Sequence, residues 1–145
     1  MINLEQLYRQ VIMDNYKNHK NKGLIDDESY THVHLKNPSC GDDMKVCCKI
    51  TGDVLTDIRH DGHGCSICCS SASVMSELLK GKKVSTAKAI INDFYEMIKG
   101  NEIEDEEIMD EAIAYKSVSQ FPARIKCATL SWKAIEEAIK ESEKE

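Results

Sequence analysis

The sequence predicts an α+β fold, a three-stranded antiparallel sheet covered by helices. Apolar residues recur at helical spacing at the start of the chain and through its second half, and between Tyr30 and His60 they alternate with a period of two. The last two strand runs are joined by Thr51-Gly52-Asp53, which marks a tight hairpin, so one sheet face needs the helices as its cover. With 145 residues, 41% of them hydrophobic, one core and one domain spanning 1–145 are expected.

The first helix is expected over 3–18, where Leu4, Leu7, Tyr8, Val11 and Ile12 form an apolar stripe. Lys17, Lys20, Lys22 and Gly23 then read as a solvated helix exit rather than a docking patch. Strands follow in which Val33 and Leu35 alternate with His32, His34 and Lys36, and Met44, Val46, Cys48 and Ile50 alternate with Lys45, Cys47 and Lys49. Residues 54–60 make the third strand. A second helix carries Ile67, Val74, Met75, Leu78 and Leu79 to an exit at Lys80-Gly81. A third carries Ala87, Ile90, Ile91, Phe94, Tyr95 and Ile98 and closes at Lys99-Gly100. The acidic stretch 101–110 is expected to be a loop and a short solvated helix docked by Ile103, Ile108, Ala112 and Ile113. The last helix starts near Pro122 and runs through Trp132, Ile135, Ala138 and Ile139.

Nineteen Lys and Arg against 25 Asp and Glu give a net charge of −6, which leaves no basic footprint for a nucleic-acid binder. No apolar run is long enough for a membrane span, and the first residues lack the pattern of a signal peptide, so a cytoplasmic chain with reduced thiols is expected. Seven cysteines, an odd number, then point to metal or thiol chemistry.

The informative cysteines stand at three joints between elements. Asn37-Pro38-Ser39-Cys40-Gly41-Asp42 is a turn between strands that offers a thiol and a carboxylate. Asp61-Gly62-His63-Gly64-Cys65-Ser66 leads from strand to helix and sets Cys65 at a helix N-terminus, where the dipole favours thiolate. Phe121-Pro122-Ala123-Arg124-Ile125-Lys126-Cys127 puts Cys127 near two cations in the last helix. If the joints converge on one end of the sheet, Cys40, Asp42, Cys65 and Cys127 make a four-ligand set suited to zinc, whose carboxylate oxygen is either its most weakly held member or at least leaves the site easier to open than four thiolates.

These three motifs, together with Leu7-Tyr8-Arg9-Gln10-Val11-Ile12-Met13-Asp14, Ala72-Ser73-Val74-Met75 and the run continuing to Trp132, closely resemble the SufU branch of the IscU/NifU N-terminal family of iron–sulfur cluster assembly proteins. The resemblance covers nearly the whole chain and implies the SufE/NifU-like (IscU-like) fold. It departs from the scaffold branch in two ways. Lys126 stands where scaffolds carry a histidine, and the segment between Cys65 and Cys127 is longer; both favour zinc. The resemblance then implies a zinc-dependent sulfurtransferase that accepts persulfide sulfur on Cys40 from a SufS-type, PLP-dependent cysteine desulfurase and stimulates it, before downstream cluster-assembly proteins. In that scheme a histidine of the desulfurase replaces Cys40 as ligand, Asp42, Cys65 and Cys127 keep the metal, and Arg124 either pairs with Asp42 or steers the partner. The alternative is a scaffold that builds an iron–sulfur cluster on the same cysteines.

Other readings are weaker. Cys47 and Cys48 lie on opposite faces of a strand and are expected to be packing or surface thiols. Cys65-Ser66-Ile67-Cys68 has the spacing of a redox dithiol, but Cys68 and Cys69 are expected to fill space in the helix. His32, His34 and His63 are expected to be bystanders, His19 and His60 carry no signal, and Asp43 begins the strand rather than competing with Asp42. A purely structural zinc is disfavoured, because ligands spread along the chain and including Asp are unlike a short-spaced Cys/His knuckle.

Overall fold

The computed structural model describes residues 3–144; Met1, Ile2 and Glu145, the ends of the expected domain, lie outside the described residues. The element order is α1 (Leu4–Lys17), β1 (Thr31–Asn37), β2 (Asp42–Thr51), β3 (Val54–His63), α2 (Ser66–Leu79), α3 (Val84–Ile98), a 3-10 segment (Glu106–Gln120) and α4 (Pro122–Glu143). The strands form one antiparallel sheet in the order β1-β2-β3. The predicted fold class is therefore the observed one.

A capping box starts α1: the Asn3 side chain accepts from the Gln6 amide at 2.9 Å, and the Gln6 side chain accepts from the Asn3 amide at 3.2 Å. Its predicted stripe is only half used. Ile12 is buried, but Leu4 is 61% and Leu7 48% exposed, because the first turns of α1 overhang the body they were expected to pack on.

Helix α2 is the central element, buried along most of its length and packed against α1, α4, β3 and the 3-10 segment. Its buried serines are satisfied rather than orphaned. Ser71 accepts from the Trp132 indole at 2.9 Å and donates to the Ala128 carbonyl at 2.6 Å; Ser70 accepts from the Tyr115 hydroxyl at 2.6 Å. Trp132 stacks on Phe94 with ring centroids 3.9 Å apart, joining α4 to α3 in the one hydrophobic core.

Three expectations are corrected. β3 runs to His63 rather than ending at His60. The acidic residues of 101–110 are exposed as expected, but the helical part is 3-10, runs on to Gln120 with a break at Asp110 (φ 47°), and docks more deeply than expected through Met109, Ala112, Ala114, Tyr115 and Val118. With helices expected to cover only one face of the sheet, the other was expected to be wet, and it is not uniformly so. Residues 21–30 strap it down: the Gly23 amide donates to the His60 carbonyl at 2.8 Å, Arg59 donates to the Gly23 carbonyl at 2.9 Å, and Tyr30 donates to Asp57 at 2.6 Å. Cys47 is fully buried beneath this strap, and Cys48 is buried in the core on the other side.

Candidate metal centre

Three joints meet at the end of the sheet where β1 leaves and β2 begins. Asn37 closes β1 and is paired in register with Asp42, which opens β2. The turn between them is held by the Cys40 amide donating to the Asn37 carbonyl at 3.2 Å, and Gly41 takes the left-handed conformation (φ 70°) that lets the chain reverse. Asp43, not Asp42, faces outward. It accepts from His34 at 2.6 Å and stands opposite His63, so the alternation of β2 separates that exposed histidine from the Asp42 side of the sheet.

The second joint brings α2 onto Asp42. The Cys65 amide donates to Asp42 Oδ1 at 3.0 Å, and the Cys65 sulfur caps α2 by accepting from the Cys68 amide at 3.5 Å. This approach needs Gly64: a Cβ there would overlap the Asp42 carboxylate. From the third joint, Cys127 enters one turn into α4, which begins with Pro122 at its first position.

One ligand atom from each of Cys40, Asp42 and Cys127 lies within 4.8 Å of the others. Cys65 falls outside that trio, although its amide holds Asp42 and its sulfur acts on Cys127. Cys127 is fully buried and Asp42 is 2% exposed, whereas Cys40 and Cys65 are half-buried. Burial first, then the neighbouring Asp42, Cys40 and Cys65, push the Cys127 thiol well above its ordinary range. Among the described residues no Lys, Arg or His side chain pairs with Asp42. A buried carboxylate beside two thiols with no cationic side chain against it suits a bound cation, and sulfur with one oxygen is a donor set that zinc accepts.

Arg124 is exposed, and its charge is stabilised first by the Cys127 sulfur and then by Cys65 and Cys40. Among the described residues no salt bridge joins it to Asp42. Cys68 is fully buried, its thiol pushed far up by burial and by Asp42, which weighs against a Cys65–Cys68 redox pair. Cys69 donates to the Gly64 carbonyl at 3.8 Å and fills space, as expected. The sequence marks Asn37 only as a turn residue; its place opposite Asp42 follows from the sheet register.

The NifU-like N-terminal domain profile matches residues 7–94. The Bacillus subtilis zinc-dependent sulfurtransferase SufU is 46% identical over 141 residues, covering 97% of this chain and 95% of that protein. The Streptococcus pyogenes iron–sulfur cluster assembly scaffold protein IscU is 38% identical, covering 96% of this chain and 86% of that protein. The crystal structure of FiSufU from Fervidobacterium islandicum AW-1, described as a candidate cluster assembly scaffold of the SUF system, superposes with a TM-score of 0.78 at 31% identity, covering 94% of this chain and 98% of that one. Motifs, fold and these likenesses agree, and the chain belongs to the NifU-like N-terminal domain family of iron–sulfur cluster assembly proteins.

Proposed function

We propose that this protein is a zinc-dependent sulfurtransferase that accepts persulfide sulfur on Cys40 from a SufS-type, PLP-dependent cysteine desulfurase. Cys40, Asp42, Cys65 and Cys127 would hold the metal, which supplies a thiolate at neutral pH without redox chemistry of its own. The observation that carries the reading is the Cys40–Asp42–Cys127 cluster, in which Cys40 is the half-buried thiol on a turn and the other two are buried.

The Cys40 thiolate attacks the terminal sulfur of the donor persulfide. A new S–S bond forms at Cys40, the donor's S–S bond breaks, and the donor cysteine leaves as thiolate. Arg124, exposed beside the three sulfurs, steers anionic sulfur to Cys40 and steadies the charge that builds there. Downstream cluster-assembly proteins then take the sulfur, in a reducing compartment such as the cytoplasm. No helix among the described residues is long and apolar enough to cross a membrane.

Incubating the protein with the desulfurase and sulfur-labelled cysteine tests this. Label on Cys40, absent in a folded Cys40→Ser variant, is expected; undiminished labelling of that variant contradicts the reading. The likeness to a scaffold protein named IscU favours a second reading, a cluster built on the same residues, which requires iron and acid-labile sulfide in equal measure.

A further inference from the structure

We propose that Asn37 is a positioning residue whose buried carboxamide fastens Asp42 and Cys127, leaving Cys40 as the ligand free to depart. This rests on the metal-centre reading above. Asn37 is 6% exposed, and its Nδ2 donates to Asp42 Oδ2 at 3.3 Å and to the Cys127 sulfur at 3.7 Å. Both acceptors are anionic when a metal is bound, so only the nitrogen end of the amide can face them. The other carboxylate oxygen, Oδ1, already accepts from the Cys65 amide, so both oxygens of Asp42 are tied and its ring of free lone pairs is reduced.

The four candidate ligands are consequently held unequally. Asp42 has two donors, Cys127 has the Asn37 amide, and Cys65 has the Cys68 amide. Cys40 has none of these. Its thiol donates to the Ala123 carbonyl at 4.0 Å, a carbonyl the Cys127 thiol also reaches at 4.0 Å, and it sits on the turn next to left-handed Gly41. Hydrogen bonds to a ligand fix its direction and make its dissociation costlier to the surrounding structure, so the ligand without them leaves first.

The test uses the full chain loaded with Zn2+ and, for spectroscopy, with Co2+. Limiting iodoacetamide followed by peptide mass spectrometry gives the ratio of alkylation at Cys40 to that at Cys127. In the wild type Cys40 is expected to react at least about 10-fold faster. In Asn37→Ala that ratio falls to within about 3-fold and zinc release to a chelator quickens about 10-fold. Asn37→Leu, which keeps the branched shape and removes the donors without adding charge or a metal ligand, guards against a folding defect and moves the ratio the same way. A lowered melting temperature with an unchanged ratio assigns Asn37 a merely structural role and overturns the proposal. A wild-type protein with no cobalt–thiolate absorption overturns the metal centre itself, and the proposal with it; absorption in both proteins with equal ratios overturns the proposal alone.

Discussion

Cysteines at the three joints and cysteines in the middle of β2 live in different chemistry on this fold. Cys40, Cys65 and Cys127 stand where β1, α2 and α4 begin or end, among a carboxylate, backbone amides and the Arg124 guanidinium. Cys47 and Cys48 stand in the middle of β2, one under the 21–30 strap and one in the core. Burial raises both mid-strand thiols, Cys48 to about 12; the Arg59 guanidinium acts against burial at Cys47 without overcoming it, so both stay protonated and inert. Cys127 is raised too, by burial and then by the acidic groups Asp42, Cys40 and Cys65; a cation among those groups reverses the latter cause. Residue type is therefore a poor guide to thiol chemistry; the groups the fold sets around each sulfur decide it.

The largest expected break in this contrast comes from paired cysteine substitutions. Cys40→Ser abolishes persulfide acceptance, whereas Cys47→Ala leaves the labelled sulfur taken up per chain unchanged. Gly64→Ala comes next. The added methyl displaces the Asp42 carboxylate, and competition against a chromophoric chelator should show zinc affinity reduced about 10–100-fold in a chain that still melts cooperatively. Cys48→Ala works in the opposite sense: urea unfolding should show a loss of about 1 kcal/mol, with zinc affinity untouched.

The smallest effect is a pH dependence carried by the polar joint of the strap. Burial first, with the Lys20 carbonyl acting against it, holds the His60 imidazole below its ordinary value of 6.5. The folded chain prefers the neutral ring, which makes a 2.7 Å hydrogen bond with that carbonyl. Above the unfolded value both states are neutral and the contribution is complete. As pH falls below it, the unfolded chain binds a proton that the folded chain resists, and stability is lost down to the folded pKa. Thermal melts between about pH 7 and pH 5 should show the loss, and His60→Gln should flatten that part of the curve.

The strands, the hairpin and the four helices were legible because hydrophobic period and turn chemistry are local. So were the three joints, whose Gly and Pro residues mark changes of element. The 21–30 strap was not legible, since it packs by backbone hydrogen bonds to β3 and carries no apolar period. The length and depth of the 3-10 segment were not legible, because its stripe at 109, 112, 115 and 118 is interrupted by the kink at Asp110 and begins among exposed acidic residues. Leu4 and Leu7 illustrate the reverse: an apolar stripe states what a helix can bury, not where its neighbours end. At the site, the convergence of Cys40, Asp42 and Cys127 followed the motif order, but the role of Asn37 depends on a register pair that only the folded sheet reveals.

The central claim is that these residues hold a metal for sulfur transfer rather than build a cluster. Counting zinc, iron and acid-labile sulfide per chain in anaerobically purified protein tests it most directly. About one zinc per chain, as expected for one four-ligand site, with neither iron nor sulfide, is the predicted result. Iron with matching sulfide would contradict it and put the scaffold reading in its place.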